Sequence, residues 1–287
     1  MCDACVIPVT LISPNSLVAN GTFSPVSRRR ADSVIAERGL TRSRASAAEA
    51  IRAGRVVIGA GGQRVAKPSE LIDPQAELSV SAGRDYVSRG GVKLANALDA
   101  LGIDVSGRDC LDVGASTGGF TDCLLQRGAA RVIALDVAHG QLDWGLRNDD
   151  RVHAIERSNA RDLEPADLPF EPSLATIDVS FISLAKVLPA VAEALVPGGD
   201  LLAMVKPQFE LGRRRVKGGV VRDAAERREA LAAVAGAARG LGLAIIGFAS
   251  SGLPGPKGNR ETFLWCSTSG EGLSEADTER AILEVEP

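Results

Sequence analysis

Charged residues stand where apolar runs begin or end; one set of them suggests a chemistry, and four others are read one by one. In that set, Asp112 closes the run that starts at Asp109, and Gly114-Ala115-Ser116-Thr117-Gly118-Gly119-Phe120 follows. Glycines at a strand-to-helix turn let a ligand approach the backbone closely. The spacing is not G-x-G-x-x-G, and an acid at the strand end would repel a pyrophosphate. Asp112 suits instead a cationic or amino-acid-bearing ligand such as S-adenosylmethionine. Asp136 ends the next apolar run, 24 residues later, where a carboxylate can accept hydrogen bonds from both ribose hydroxyls of an adenosine. Asn159 and Asp162 follow the third run, within reach of an adenine, with a loop or N-cap role as the alternative.

The four others are Lys93, Asp178, Lys206 and Glu261. Asp178 abuts Ile177, where a ligand crevice or a helix N-terminus would lie. Lys206 ends the run Asp200 to Val205 and is followed by Pro207, which stops a strand ladder. A lysine there is hard to explain as core. Taken singly, Lys93 reads as a solvated lysine at the start of an apolar helix, and Glu261 as part of a solvated turn.

Elements to carry these residues follow from periodicity. Residues 109–113, 131–137, 152–156, 174–179, 200–205, 243–249 and 262–267 read as strands, with helices near 119–127, 141–148, 183–195 and 223–240 between them. This alternation predicts an α/β fold: a doubly wound, Rossmann-like sheet of about seven mostly parallel strands. Upstream, residues 32–39 and 43–53 have helical spacing, with Ser43 as an N-cap and Gly39 and Gly54 as terminating residues. Val56 to Ile58, a turn over Gly59 to Gly62 and a strand ending near Val80 add a small sheet. A small α+β domain therefore precedes the larger one.

Charge is distributed unevenly. The whole chain of 287 residues carries −3. Residues 28–67, however, hold ten basic side chains against three acidic ones, a net +7, which points to a polyanionic partner. Residues 271–287 carry six acids and one arginine, a net −5, with no apolar pattern that demands a docked helix. No apolar run reaches the length of about 20 residues that a membrane helix needs. Five scattered cysteines suit a reducing compartment. Residues 1–27 lack the basic start of a secretory signal and read as a disordered leader, and the Cys2–Cys5 pair has no second pair to complete a metal site.

Together, Val87-Ser88-Arg89-Gly90-Gly91, Asp112 through Asp122, Gly140-Gln141-Leu142, Leu146 through Asp149, Asp178 through Leu184, Val205 through Glu210 and Gly255 through Glu261 closely resemble the TlyA family. These are ribosomal RNA ribose 2′-O-methyltransferases historically labelled hemolysins. The likeness spans roughly residues 28–268. It implies an alpha-L RNA-binding domain over 28–82, a linker over 83–92, an FtsJ-like methyltransferase domain over 93–270 and an acidic tail over 271–287.

The resemblance also assigns roles. Lys93, Asp178, Lys206 and Glu261 match the catalytic Lys-Asp-Lys-Glu tetrad. Asp112, Gly114, Ser116, Thr117, Gly118, Gly119, Phe120, Asp136 and Asn159 fall to S-adenosylmethionine. Arg28, Arg29, Arg30, Arg42, Arg44 and Arg89 fall to RNA. Apart from the resemblance, the loop cluster Arg213, Arg214, Arg215 and Lys217 is expected to add phosphate contacts, with a solvated surface as the alternative for some of these basic residues. The implied reaction is 2′-O-methylation of cytidine in small- and large-subunit rRNA on ribosomal particles in the cytoplasm, without a metal or a membrane. Two stretches depart from the family pattern: Asp136-Val137-Ala138-His139-Gly140 replaces Asp-Val-Gly-Tyr-Gly, and Gly59 to Gly62 replaces a Val-Asn-Gly hairpin.

A methyl group on a sulfonium is already electrophilic, so the protein must mainly align the ribose oxygen and manage its proton. Lys206 is the expected proton acceptor, oriented by Asp178, with Lys93 and Glu261 positioning the ribose. If Lys206 stays protonated, the tetrad positions the ribose and stabilises the developing alkoxide. Two rivals are a catalytically silent RNA-binding or assembly factor and a membrane-active hemolysin. The intact acids and tetrad speak against the first. The lack of a spanning or free cationic amphipathic helix speaks against the second.

Overall fold

The computed structural model describes residues 28–52, 55–59, 63–80, 86–212, 215–255 and 257–286. The expected leader, the Cys2–Cys5 pair, Gly54, most of the Gly59 to Gly62 turn, Arg213 and Arg214 lie outside them. The chain divides into two compact units after Gly83.

The first unit contains β1 (Arg29–Arg30), α1 (Ala31–Glu37), α2 (Arg44–Arg52), β2 (Val56–Ile58), β3 (Gln63–Arg64), β4 (Leu71–Ile72) and β5 (Leu78–Val80). Strands β3-β2-β5 form one antiparallel sheet and β1-β4 another. Val34, Ile35, Ala47, Ala50 and Ile51, at helical spacing on the two helices, bury against Val56, Val65, Ile72 and Leu78.

The second unit opens with α3 (Arg89–Leu101), capped by Ser88, whose hydroxyl accepts a hydrogen bond from Gly90 N. The helix thus starts inside the stretch expected to be a linker over 83–92. Seven strands follow: β6 (Asp109–Val113), β7 (Arg131–Asp136), β8 (Val152–Glu156), β9 (Leu174–Ile177), β10 (Asp200–Val205), β11 (Ala244–Ser250) and β12 (Thr262–Ser267). Their order is β11-β12-β10-β9-β6-β7-β8, parallel except for β12, which runs antiparallel to both neighbours. The helices are α4 (Gly119–Gln126), α5 (Trp144–Arg147), α6 (Leu188–Glu193), α7 (Pro207–Glu210), α8 (Ala224–Gly240) and α9 (Glu275–Val285).

Alternation along the strands feeds two cores. Leu111, Val113, Ile133 and Leu135 face the core that also receives Leu231, Val234 and Ile282 from α8 and α9. Cys110, Val132 and Ala134 face the other, packed by Leu94 and Leu98 of α3 and Phe120, Cys123 and Leu124 of α4. The sheet is therefore covered on both faces, which agrees with the doubly wound reading.

The acidic tail is corrected by the structure. Ser274 caps α9, Thr278 and Ile282 are buried, and Glu286 beyond it is only 4% exposed. Glu286 Oε2 accepts from Arg227 Nε at 2.7 Å and Oε1 accepts from Thr262 Oγ1 at 3.1 Å, so the segment docks through a buried ion pair. No helix among the described residues is long and apolar enough to cross a membrane.

Candidate active site

Parallel strands deliver their carboxyl ends to one edge, and the second unit gathers its charged residues there. Val113 pairs with Ile177 and Ala203 with Ile177, so β6, β9 and β10 end side by side. Val205 faces Thr262 in the antiparallel ladder, which sets Lys206, one residue beyond β10, beside Glu261, one residue before β12. Lys206 Nζ forms an ion pair with Asp178 Oδ1 and donates to Ser180 Oγ at 3.0 Å. Lys93, on the second turn of α3, forms an ion pair with Glu261 Oε2. Lys93, Lys206 and Glu261 are each more than nine-tenths buried. Buried charges persist when paired, so Lys93 and Glu261, which singly read as surface and turn, form one buried ion pair, and Lys206 is buried against a half-buried Asp178 in the other.

Beside them lies the loop after β6. Gly114 has φ +86°, and a Cβ there would lie 2.6 Å from Asp178 O, so only glycine lets β6 and the end of β9 meet so closely. Asp112 is fully buried. Its Oδ2 accepts from Thr121 N at 2.8 Å and Thr121 Oγ1 at 2.6 Å, while Oδ1 has no partner among the described residues. Burial pushes this carboxyl up to about 7 against the opposing Thr121 hydrogen bonds, and the nearby negative Asp178 and Asp136 add to the rise. A buried acceptor with an open lone pair fits a cationic donor such as the amino group of S-adenosylmethionine.

Asp136, half-buried at the end of β7, braces the same loop. Its Oδ2 accepts from Ser116 N and its Oδ1 from Ala138 N, both at 2.7 Å. Ser116 Oγ donates to Gln141 Oε1 at 3.2 Å, and the Thr117 carbonyl accepts from Asp143 N at 3.2 Å. Asn159 caps a short 3₁₀ turn, its Oδ1 accepting from Arg161 N at 3.2 Å, which is the loop alternative weighed for it in the sequence.

Three glycine-loop residues serve packing. Phe120 is a core side chain, 5.8 Å from the Phe263 ring centroid. A Cβ on Gly119 would sit 2.1 Å from Ser88 Oγ and 3.0 Å from Gly91 N, so this glycine lets α4 approach the start of α3. A Cβ on Gly118 would meet Leu142 and Leu146. Sequence spacing could not separate these roles from ligand contact.

The arginines also divide. Arg28 and Arg42 are exposed, and Arg29 pairs with Glu37 at 2.6 Å on the surface. Arg30 donates twice to Asp32, at 3.0 and 2.6 Å, and Arg44 Nε lies 3.3 Å from the same carboxylate. Asp32 is 4% exposed, and these guanidiniums, Arg30 foremost, hold its carboxyl down at about 2. Part of the basic segment's charge therefore ties α1 to α2. Arg89 donates to Pro254 O at 2.7 Å, and Arg215 pairs with Glu229 and Glu226.

Residues that the sequence reading did not single out complete the edge. Ser180 is a second partner for Lys206. Phe181 has φ +65° and is 85% exposed, with its ring 5.1 Å from that of Phe209. Glu156 accepts from Gly140 N at 2.8 Å and pairs with His139 and Arg147, and Arg147 chiefly holds its carboxyl at about 2. Only Phe181, an exposed aromatic in an apolar stretch beside Asp178, offered a local signal. Among the described residues, no group of three or more His, Cys, Asp or Glu could hold a metal.

A seven-stranded sheet of this order, with a glycine loop and paired charges at its carboxyl edge, is that of a methyltransferase. A family model described as FtsJ-like methyltransferase matches residues 86–268. The 16S/23S rRNA (cytidine-2′-O)-methyltransferase TlyA of Mycobacterium tuberculosis is 48% identical over 266 residues, covering 90% of this chain and 98% of that protein. Hemolysin A of Brachyspira hyodysenteriae is 41% identical over 234 residues, covering 81% and 97%. A solved structure from Streptococcus thermophilus, labelled a hemolysin, superposes with a TM-score of 0.68 at 39% identity, covering 91% and 96%. The chain belongs to the TlyA family of FtsJ-like, S-adenosylmethionine-dependent methyltransferases.

Proposed function

We propose that this protein transfers the methyl group of S-adenosylmethionine to the ribose 2′-hydroxyl of cytidine in ribosomal RNA of the small subunit, the large subunit or both. The observation that carries this reading is the two ion pairs, the buried Lys93–Glu261 and the Lys206–Asp178 pair whose acid is half-buried, at the edge that holds the unpartnered Asp112 oxygen. The bound cofactor supplies an activated methyl group. Asp112 would hold its amino group, Asp136 and the loop over Gly114 to Gly118 would hold its nucleoside, and Asn159 would reach the adenine.

The protein's own task is to align one hydroxyl and manage one proton. Asp178 and Ser180 fix Lys206 Nζ, which either first gives up a proton to solvent and then accepts the 2′-hydroxyl proton or, kept as an ammonium, stabilises the developing alkoxide while that proton passes to water. Lys93 and Glu261 hold the ribose from the other side. The exposed Phe181 ring offers a stacking face for an unpaired base. The N-terminal unit, as an alpha-L domain over residues 28–82, supplies phosphate contacts through Arg28, Arg29, Arg30, Arg42 and Arg44. Arg89 adds a contact from the methyltransferase unit. The setting is the cytoplasm, where ribosomal particles are found.

The test is incubation of the protein and cofactor with undermethylated ribosomal subunits, followed by mass spectrometric mapping of the modified nucleotide. A 2′-O-methylcytidine at one defined position is expected. Ribosome binding without any methylated nucleotide would favour a silent assembly factor.

A further inference from the structure

The five residues Lys206 to Glu210 grip the loop after β9 at three points. Lys206 holds Asp178 and Ser180. The ring of Phe209 packs on that of Phe181. Glu210, the last residue of α7, accepts from Ser183 Oγ at 2.6 Å and from Leu184 N at 3.0 Å. β9 ends at Ile177 and the next regular turn begins at Leu184, so residues 178–183 have no strand ladder or helix of their own. Within them, Phe181 adopts a left-handed backbone, φ +65°, which a phenylalanine keeps only where its neighbours over-determine it.

Glu210 needs an explanation in its own right. Burial pushes its carboxyl above the ordinary range, and no arginine or lysine among the described residues forms an ion pair with it. A partly desolvated acid without a cation is costly, and its two hydrogen bonds both go to the far end of the loop that carries Asp178 and Ser180. We infer that Glu210 is a positioning residue for methyl transfer, pinning the loop over 178–184 so that Asp178 and Ser180 hold Lys206 Nζ in place. The inference rests on the reading of Lys206 and Asp178 as the reacting machinery.

Full-length Glu210→Ala, Glu210→Gln and wild-type proteins should be compared in single-turnover methyl transfer to undermethylated subunits at saturating cofactor. Affinity for S-adenosylhomocysteine and the thermal midpoint are measured alongside. Glu210→Ala should slow transfer about tenfold or more at unchanged cofactor affinity. Glu210→Gln keeps an acceptor for Leu184 N and can donate to Ser183 Oγ, so it should recover to within about threefold of wild type. An active wild type with an equally fast Glu210→Ala overturns the inference. So does a rate loss that merely follows lost cofactor binding and a lowered midpoint. Should Glu210→Ala not fold, Ser183→Ala removes one of the two bonds: a slowed transfer at intact cofactor affinity supports the inference and an unchanged rate overturns it. An inactive wild type would instead overturn the functional reading itself.

Discussion

Replacing Asp112 by asparagine should separate folding from cofactor binding, because the same buried carboxylate opposes folding and, on the proposed reading, serves the cofactor. Its carboxyl rises from an ordinary 3.8 to about 7, with burial as the main cause. The folded state therefore binds this proton more tightly than the unfolded chain does. The contribution to stability is full below about pH 4 and is lost as pH climbs toward 7. Some three pH units correspond to at most about 4 kcal/mol. Asparagine never ionises and can still accept both hydrogen bonds from Thr121 through its oxygen. Cofactor-free Asp112→Asn is thus expected to be more stable than wild type at pH 8 by about 1–4 kcal/mol, with the advantage gone near pH 4. Cofactor binding should respond oppositely. In the wild type, the dissociation constant for S-adenosylhomocysteine should fall about tenfold between pH 5.5 and 6.5 as Asp112 ionises. In Asp112→Asn it should be about tenfold or more weaker at pH 7 and flat with pH. Denaturant unfolding at pH 4.5 and 8, paired with calorimetric titrations, reads both effects. An asparagine variant less stable than wild type at pH 8, or a flat wild-type binding profile, would refute the assignment of a buried, cofactor-facing charge.

Three further substitutions test other parts of the structure. Asp32→Asn should cost the N-terminal unit about 2 kcal/mol at pH 7, since Asp32 titrates near 2 instead of 3.8; its contribution is present above about pH 4 and fades as pH falls toward 2. Hydrogen exchange of α1 and α2 in the full chain reads this loss, and protection equal to wild type would contradict it. Glu286→Ala strands Arg227 in the interior, and a cost of about 3–5 kcal/mol is expected in denaturant unfolding of the methyltransferase unit; an unchanged midpoint would mean that α9 is not anchored by this pair. Gly119→Ala forces a methyl group against Ser88 Oγ and Gly91 N, so the thermal midpoint should drop by the equivalent of about 1–3 kcal/mol, whereas a glycine needed only for ligand approach would leave it unmoved.

The sheet was legible because its strands are punctuated chemically. Asp109, Asp200 and Ser267 bound apolar runs whose ends agree with β6, β10 and β12. Where punctuation was ambiguous, boundaries moved. The run expected to end at Val179 stops at Ile177; Asp178 N still donates to Val113 O at 2.9 Å, but its side chain pairs with Lys206. The helix expected over 183–195 divides into a 3₁₀ turn and Leu188–Glu193, with Pro189 unable to donate to the turn before it. Helix α9 was missed because its buried stripe is only Thr278 and Ile282, and its anchor, Arg227, lies 59 residues away.

Within the site, residue types at strand ends revealed Asp112, Asp136, Asp178 and Lys206, whereas Lys93 and Glu261 were reached only through the family resemblance, and nothing in the spacing said which pairs with which. The division between ligand-facing and packing roles was also hidden. Gly114 and Gly119 look alike in the sequence, yet one admits the end of β9 and the other the start of α3. Arg30 and Arg44 look like free phosphate ligands until Asp32 proves buried between them. Glu210 and Ser180 act across the loop, a relation that no local spacing encodes.

The most direct test of the central claim is single-turnover transfer of a labelled methyl group from S-adenosylmethionine to undermethylated ribosomal subunits by Lys206→Ala, with cofactor and subunit binding measured on the same preparation. On the proposed reading Lys206 receives the proton or stabilises the alkoxide, so without it the rate should fall by about 10² or more while both affinities stay within about threefold of wild type. Transfer at the wild-type rate would contradict the account and remove Lys206 from the chemistry.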